Sequence, residues 1–127
     1  MERIIGIDVG LKRIGVAYTP DKKVIVPLKA IIRKNRNQAA KEVSDLLKEY
    51  KADTLVVGIP KTNKEMQIRI KHFTNLIDFD GKIKFVDESY TSAIVEEEIK
   101  GKIKYKRDGR IDSLAAMKIL ESYLDSK

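Results

Sequence analysis

Three acids stand where stretches of the chain end or begin: Asp8 after an apolar run, Glu88 after another, and Asp112 at the head of the last helical segment. Asp8 has the most informative setting. Arg3-Ile4-Ile5-Gly6-Ile7 is a β-branched run suited to a buried strand, and the carboxylate at its end is bracketed by Gly6 and Gly10. A buried charge is costly unless it is paired or bound to metal. The glycines let the backbone bend and leave open space beside the acid. A second apolar run, Ile14-Gly15-Val16-Ala17-Tyr18, follows closely, so the segment reads as a hairpin with the acid at its tip. Taken singly, Asp8 suits a turn cap equally well, and Asp112 an ordinary acid in a helix's first turn. Taken together, the acids say more. If the first and last strands run parallel, Asp8 and Glu88 emerge at one sheet edge, and a last helix starting there brings in Asp112. Three such carboxylates repel one another unless a divalent cation neutralises them, and oxygen-only ligands suit Mg²⁺ or Mn²⁺.

The intervening elements have to hold these positions. Lys23 to Ile32 reads as a third strand, in which Pro27 removes a ladder donor and so demands an edge or an interruption. Asn35 or Asn37 caps a helix with apolar positions Ala39, Val43, Leu46, Leu47 and Tyr50. Thr54 to Ile59 is the most continuous apolar run, a central strand covered on both faces and therefore parallel to its neighbours, and Pro60 stops it. Glu65 to Ile77 is a second helix carrying Met66, Ile70, Phe73 and Ile77 on one stripe. It also holds the only histidine, His72, which reads as a surface residue. Asp80-Gly81 is a turn, and Ile83, Phe85 and Val86 form a fifth strand that runs into Asp87-Glu88. Adjacent strand residues point to opposite faces, so at most one of those two acids shares a face with any given site.

Thr91 or Ser92 caps a further helix, with Glu96, Glu97 and Glu98 near its positive end. A glycine-bounded, basic loop from Gly101 to Gly109 precedes the last helix, marked by Ile111, Leu114, Ala115, Ile119, Tyr123 and Leu124. An antiparallel set of three strands followed by β-α-β crossovers gives a mixed sheet with helices on its faces, one α/β domain over residues 1–127.

The 127 residues suffice for one ordinary core. Charged residues make up 35% and apolar ones 43%, the balance of a soluble globule rather than a disordered chain. No run approaches the ~18 apolar residues of a membrane span, and no signal-peptide pattern precedes the first strand. The absence of cysteine excludes disulfides and thiolate metal sites and suits a reducing cytoplasm. A net charge of +7 favours a polyanionic partner. It concentrates in two stretches, Lys29, Arg33, Lys34, Arg36 and Lys41, and Lys100, Lys102, Lys104, Lys106, Arg107 and Arg110.

The layout resembles the ribonuclease H-like fold, a three-layer arrangement with a five-stranded mixed sheet and helices on both faces. Within that fold the sequence resembles the YqgF (RuvX) family along nearly its whole length. Four ordered blocks carry the resemblance: Gly6-Ile7-Asp8-Val9-Gly10 with Lys12-Arg13-Ile14-Gly15-Val16-Ala17; Val56-Val57-Gly58-Ile59-Pro60; Asp87-Glu88 with Thr91; and Gly109-Arg110-Ile111-Asp112 with Ala115-Ala116. The chain departs from the family pattern at Leu11 (usually Thr or Ser), at Ser89 (commonly Arg) and in Lys61-Thr62-Asn63-Lys64-Glu65, which replaces a glycine-containing stretch. Leu11 and Ser89 alter positions where substrate contacts would fall and leave the carboxylates intact.

The resemblance implies a nuclease maturing the 5′ end of pre-16S ribosomal RNA. An older family label, Holliday-junction resolvase, comes from likeness to the resolvase RuvC. Carried over, Asp8, Glu88 and Asp112 are the catalytic and metal-binding acids of a two-metal phosphodiester hydrolysis, Asp8 bridging and the others each holding one Mg²⁺ or Mn²⁺. Phosphate contacts fall to Lys12 and Arg13, which read equally as solvated turn charges, and to Lys102, Lys104, Lys106, Arg107 and Arg110, with Tyr105 available to stack on an unpaired base. The expected partner is structured ribosomal precursor RNA, the protein acting as a monomer or weak homodimer away from membranes. Two other classes compete. Sugar kinases, actin and heat-shock ATPases open with a similar Gly-x-Asp-x-Gly but need two such domains to enclose ATP. A basic RNA-binding module without catalysis would hold RNA equally well without Mg²⁺.

Overall fold

The computed structural model describes residues 2–87 and 110–125, and of residues 110–112 the backbone alone. Five strands, β1 (Ile4–Val9), β2 (Arg13–Thr19), β3 (Val26–Ile32), β4 (Thr54–Ile59) and β5 (Lys82–Asp87), form one sheet in the order β3-β2-β1-β4-β5. The β1–β2 and β2–β3 pairs are antiparallel, and the β1–β4 and β4–β5 pairs are parallel. The expected mixed sheet is therefore present. Pro27 lies in β3, which is an edge strand and spares the ladder its missing donor. That strand begins at Val26 rather than Lys23, because the Asp21 side chain accepts from the Lys23 and Val24 backbone N–H groups and holds them in a turn.

Helix α1 (Arg36–Glu49) starts at Asn35, whose side chain and that of Gln38 form a reciprocal capping box. It ends with Lys51 at φ 52° and the two backbone bonds of a Schellman motif, Ala52 N–H to Leu47 C=O at 2.9 Å and Lys51 N–H to Lys48 C=O at 3.2 Å. Helix α2 (Lys64–Asn75) is capped by Asn63. The departing stretch after Pro60 thus has a local job: Asn63 Oδ1 accepts from Met66 N–H at 3.1 Å, and Gln67 Nε2 donates to the Pro60 and Lys61 carbonyls at 2.7 and 2.8 Å. Ile77 is buried as expected, although it lies past the helix end. Helix α3 (Arg110–Asp125) closes the fold. The expected helix after Thr91 or Ser92 and the loop from Gly101 to Gly109 lie outside the described residues. Among the described residues no helix is long and apolar enough to cross a membrane.

Strand alternation sorts the sheet into two faces. Ile5, Ile7, Val9, Ile14, Val16, Leu55 and Val57 pack with α1 and α2 in the larger core. Ile4, Ala17 and Val56 pack with Ala116, Ile119, Leu120 and Tyr123 of α3. Each fully buried aliphatic side chain contributes about 1.5–3 kcal/mol, so both layers are held mainly by apolar burial. The α3 layer is unusually close at one point. A Cβ at Gly6 would lie 2.6 Å from Leu120 Cγ, so only a residue without a side chain lets Leu120 seat on β1. Gly6→Ala is expected to destabilise by about 1–3 kcal/mol through overpacking. Chemical denaturation should show the cost falling when Leu120→Ala is added, because the pair shares one contact and is non-additive.

Candidate active site

Asp8 is a ladder residue, not a hairpin tip. It pairs with Gly15 of β2 and Gly58 of β4, and Val9 still pairs with Ile14 beyond it. The expectation of an acid at the tip is corrected for a simple reason: the ladder needs both residues before the chain can reverse. The reversal itself is Gly10-Leu11-Lys12, closed by Gly10 N–H donating to Arg13 C=O at 2.9 Å. A Cβ at Gly10 would lie 2.6 Å from that same oxygen, which fixes glycine there.

The alternation that sends Ile7 and Val9 into the larger core sends Gly6 and Asp8 to the α3 face. Asp8 is half-buried, and both of its direct cross-strand neighbours are glycines. Neighbouring side chains normally stand within about 4.5–5.5 Å of a cross-strand partner. Here neither flank carries one, so the carboxylate has room on both sides within its row of the sheet. Continued across β4, that row reaches Val86 of β5, which packs on the α3 side. Asp87 follows it and belongs by alternation to the opposite face, away from Asp8. Glu88 lies outside the described residues.

Position 112 is brought toward Asp8 by its neighbour. The buried Ser113 hydroxyl donates to Leu28 C=O and accepts from Val16 N–H at 3.4 Å. Val16 and Leu28 are register partners next to the irregularity in the β2–β3 ladder, so the hydroxyl bridges two strands where their own bonding is disturbed. Val16 adjoins Gly15, the partner of Asp8. The first turn of α3 is therefore fixed one strand away from the Asp8 carboxylate, and the backbone of Asp112 lies in that turn. Sequence reading misses Ser113, since a serine in a helix's first turn looks like an ordinary capping residue.

Lys12 and Arg13 are exposed, Lys12 in the reversal and Arg13 as the first residue of β2. Arg110 opens α3. Lys102, Lys104, Tyr105, Lys106 and Arg107 lie outside the described residues. His72 is exposed and sits with the α1–α2 layer, so it belongs to the other side of the sheet from Asp8. Among the described residues no three His, Asp or Glu side chains gather as a metal cluster, and Asp8 is the only one of the three expected acids whose side chain is described.

A 3-2-1-4-5 mixed sheet with two helices on one face and the last helix on the other is the ribonuclease H-like fold. Solved structures with this fold include RuvC of T. thermophilus in complex with a Holliday junction substrate, which superimposes with a TM-score of 0.64 at 11% identity, covering 99% of this chain and 96% of that one. The fowlpox virus resolvase gives 0.57 at 16% identity over 98% of this chain and 99% of that one. At the finer level, residues 2–126 match the RuvX family, described as Holliday junction resolvase, and the chain belongs to that family. Its relatives include proteins named "Putative pre-16S rRNA nuclease" in Sulfurimonas denitrificans (51% identical, covering 98% of each chain) and Campylobacter lari (48% identical, covering 95% of this chain and 96% of that one).

Ser113→Ala is expected to cost about 1–3 kcal/mol, the penalty for leaving a buried polar group without its partner. If the hydroxyl also sets the first turn of α3, cleavage measured well below the unfolding transition should fall as well. Stability from denaturant melts and activity on folded protein separate the two effects.

Proposed function

We propose that this chain is a divalent-metal-dependent nuclease that hydrolyses phosphodiester bonds near the 5′ end of pre-16S ribosomal RNA. The observation that carries the reading is a half-buried aspartate on the α3 face, flanked in its own sheet row by Gly15 and Gly58, in a chain about half identical over its length to relatives named for that activity. Asp8, Glu88 and Asp112 are the proposed catalytic acids and the residues that would hold Mg²⁺ or Mn²⁺. The donor chemistry fits: all three are hard oxygen donors, the chain has no cysteine, and its one histidine belongs to the opposite face. Such ions, when bound, lower the pKa of water and stabilise charge on the leaving oxygen.

The protein's own part is positioning. Asp8 is held in register by two ladders, so the point of the sheet from which its side chain projects is fixed. The missing side chains at positions 15 and 58 leave a slot for a phosphate and the attacking water. In the hydrolysis the water oxygen bonds to phosphorus and gives up a proton to solvent or a carboxylate, while one P–O ester bond breaks and the departing oxygen takes up a proton to become its strand's terminal hydroxyl. Lys12, Arg13 and Arg110, with Lys102, Lys104, Lys106 and Arg107, are the proposed phosphate contacts, and Tyr105 the proposed base stack. The family description and the likeness of fold to RuvC favour a second reading, a four-way DNA junction as substrate.

Purified protein incubated with pre-16S RNA and with four-way DNA junctions, in Mg²⁺, Mn²⁺ or chelator, tests both. Metal-dependent cutting of the RNA is expected, and Asp8→Asn should lower it more than ~100-fold, beyond what altering a metal ligand's supporting shell costs, while RNA binding persists. Unchanged cutting by Asp8→Asn, or cutting in chelator, would refute the metal-carboxylate reading. A preference for the junction would replace RNA with DNA as the substrate.

A further inference from the structure

The basic stretch around Arg33 and Arg36 has no part in the site on the α3 face. It lines a cleft of ≈ 410 Å³ on the other side of the same hairpin, between the reversal, the start of α1 and helix α2. Leu11, Arg33, Arg36, Ile68, Arg69 and His72 are among the lining residues, and among the described residues no carboxylate is. Glu65 sits outside the lining and pairs with Arg69 at 3.0 Å, so among the described residues Arg33 and Arg36 are the cleft's charges without an acidic partner.

Their arrangement is built. Arg33 is half-buried, lies 5.2 Å over the Phe73 ring and donates through Nη1 to Gly10 C=O at 2.6 Å, which ties the cleft to the hairpin that carries Asp8. Arg36 Nη1 lies 3.1 Å from His72 Nδ1. Arginine only donates, so Nδ1 is the acceptor and the ring proton is on Nε2, a further donor. Burial first, and the charge of Arg36 second, lower the pKa of the Arg33 guanidinium. Two neighbouring cations without an acid between them are relieved by an anion. Beside them Leu11 and Ile68 are large apolar side chains left 66% and 69% exposed, a surface on which a base or ribose can rest.

We propose that this cleft binds the phosphodiester backbone of the RNA strand flanking the bond to be cut, with Arg33, Arg36 and His72 as donors and Leu11 and Ile68 as the apolar wall. The proposal rests on the nuclease reading of the α3 face. Leu11 is three residues from Asp8, at most ~11 Å of extended chain, so one strand can pass over the hairpin and engage both faces. It also gives Leu11, a departure from the family pattern, a role in contacting substrate.

The test is binding without cleavage: fluorescence anisotropy in EDTA with fluorescein-labelled oligouridine, long (~16 nucleotides) or short (~4 nucleotides). Arg36→Glu adds an acid to a first helical turn that has none, which favours the helix, so the variant should fold. It should weaken the long RNA about tenfold and flatten the slope of log affinity against log salt by ~0.7 for each phosphate that is no longer neutralised. Ile68→Glu, on the other helix, should weaken binding comparably by placing a charge on the apolar wall. Lys41→Glu carries the same charge change outside the lining and should cost less than twofold, and the short RNA should be indifferent to all three. Equal losses from Arg36→Glu and Lys41→Glu, or parental binding by Arg36→Glu, would overturn the proposal. Failure of the parent to cut RNA in Mg²⁺ would refute the nuclease reading separately, because the binding measurement needs no cleavage.

Discussion

Helix α3 lies so close to β1 that Leu120 occupies the space a side chain at position 6 would fill, and Ser113 of the same helix reaches between β2 and β3 to bridge Val16 and Leu28. These two contacts act at different points along one rod. The Leu120 contact, with Ile119 and Tyr123, supplies the burial that holds the helix down, each side chain worth about 1.5–3 kcal/mol. The Ser113 bridge adds about 1 kcal/mol net but is directional. It fixes how the first turn sits on the strands, and so where position 112 falls relative to Asp8. Breaking either one would move the helix that any shared site depends on.

The sheet itself makes an acid tolerable in a core strand. Every second residue of β1 enters the α1–α2 core, so Ile5, Ile7 and Val9 hold the strand whatever the other face does. That leaves Gly6 to admit a helix and Asp8 to stand between two cross-strand glycines. A carboxylate half-removed from water at such a point costs stability unless a cation or donors compensate it. The same hairpin then serves both faces, since its reversal is braced by Arg33 from the opposite side.

Much of this is legible in the sequence, where local chemistry dictates the outcome. The continuous run in β4 requires burial on both faces, Pro27 requires an edge or an interruption, and an asparagine at 35 or 37 has to start α1; the structure selects Asn35 and adds the reciprocal bond from Gln38. Asp8 stands out as an acid in an apolar run. Register is the part that cannot be read. No local pattern says that Gly58 aligns with Asp8, because that pairing joins strands far apart in the chain; the Gly15 pairing depends on where the hairpin reverses, which local reasoning sets at Asp8 instead of beyond Val9. Ser113 and the Arg33–Gly10 bond are illegible for the same reason, each joining residues distant in sequence. Arg33 and Arg36 show as charge, but their common cleft depends on how α1 packs beside α2.

On the proposed metal-dependent nuclease reading, the Asp8 row of the sheet and the first turn of α3 together form a divalent-metal site. Mn²⁺ is paramagnetic and broadens nearby amide signals, so titrating it into isotope-labelled protein reports directly where the ion sits. The account predicts that the amides of Asp8, Gly15, Gly58 and the first turn of α3 broaden first, and that Asp8→Asn removes the effect. Broadening centred on the surface acids of α1 or α2, or unchanged broadening in Asp8→Asn, would contradict it.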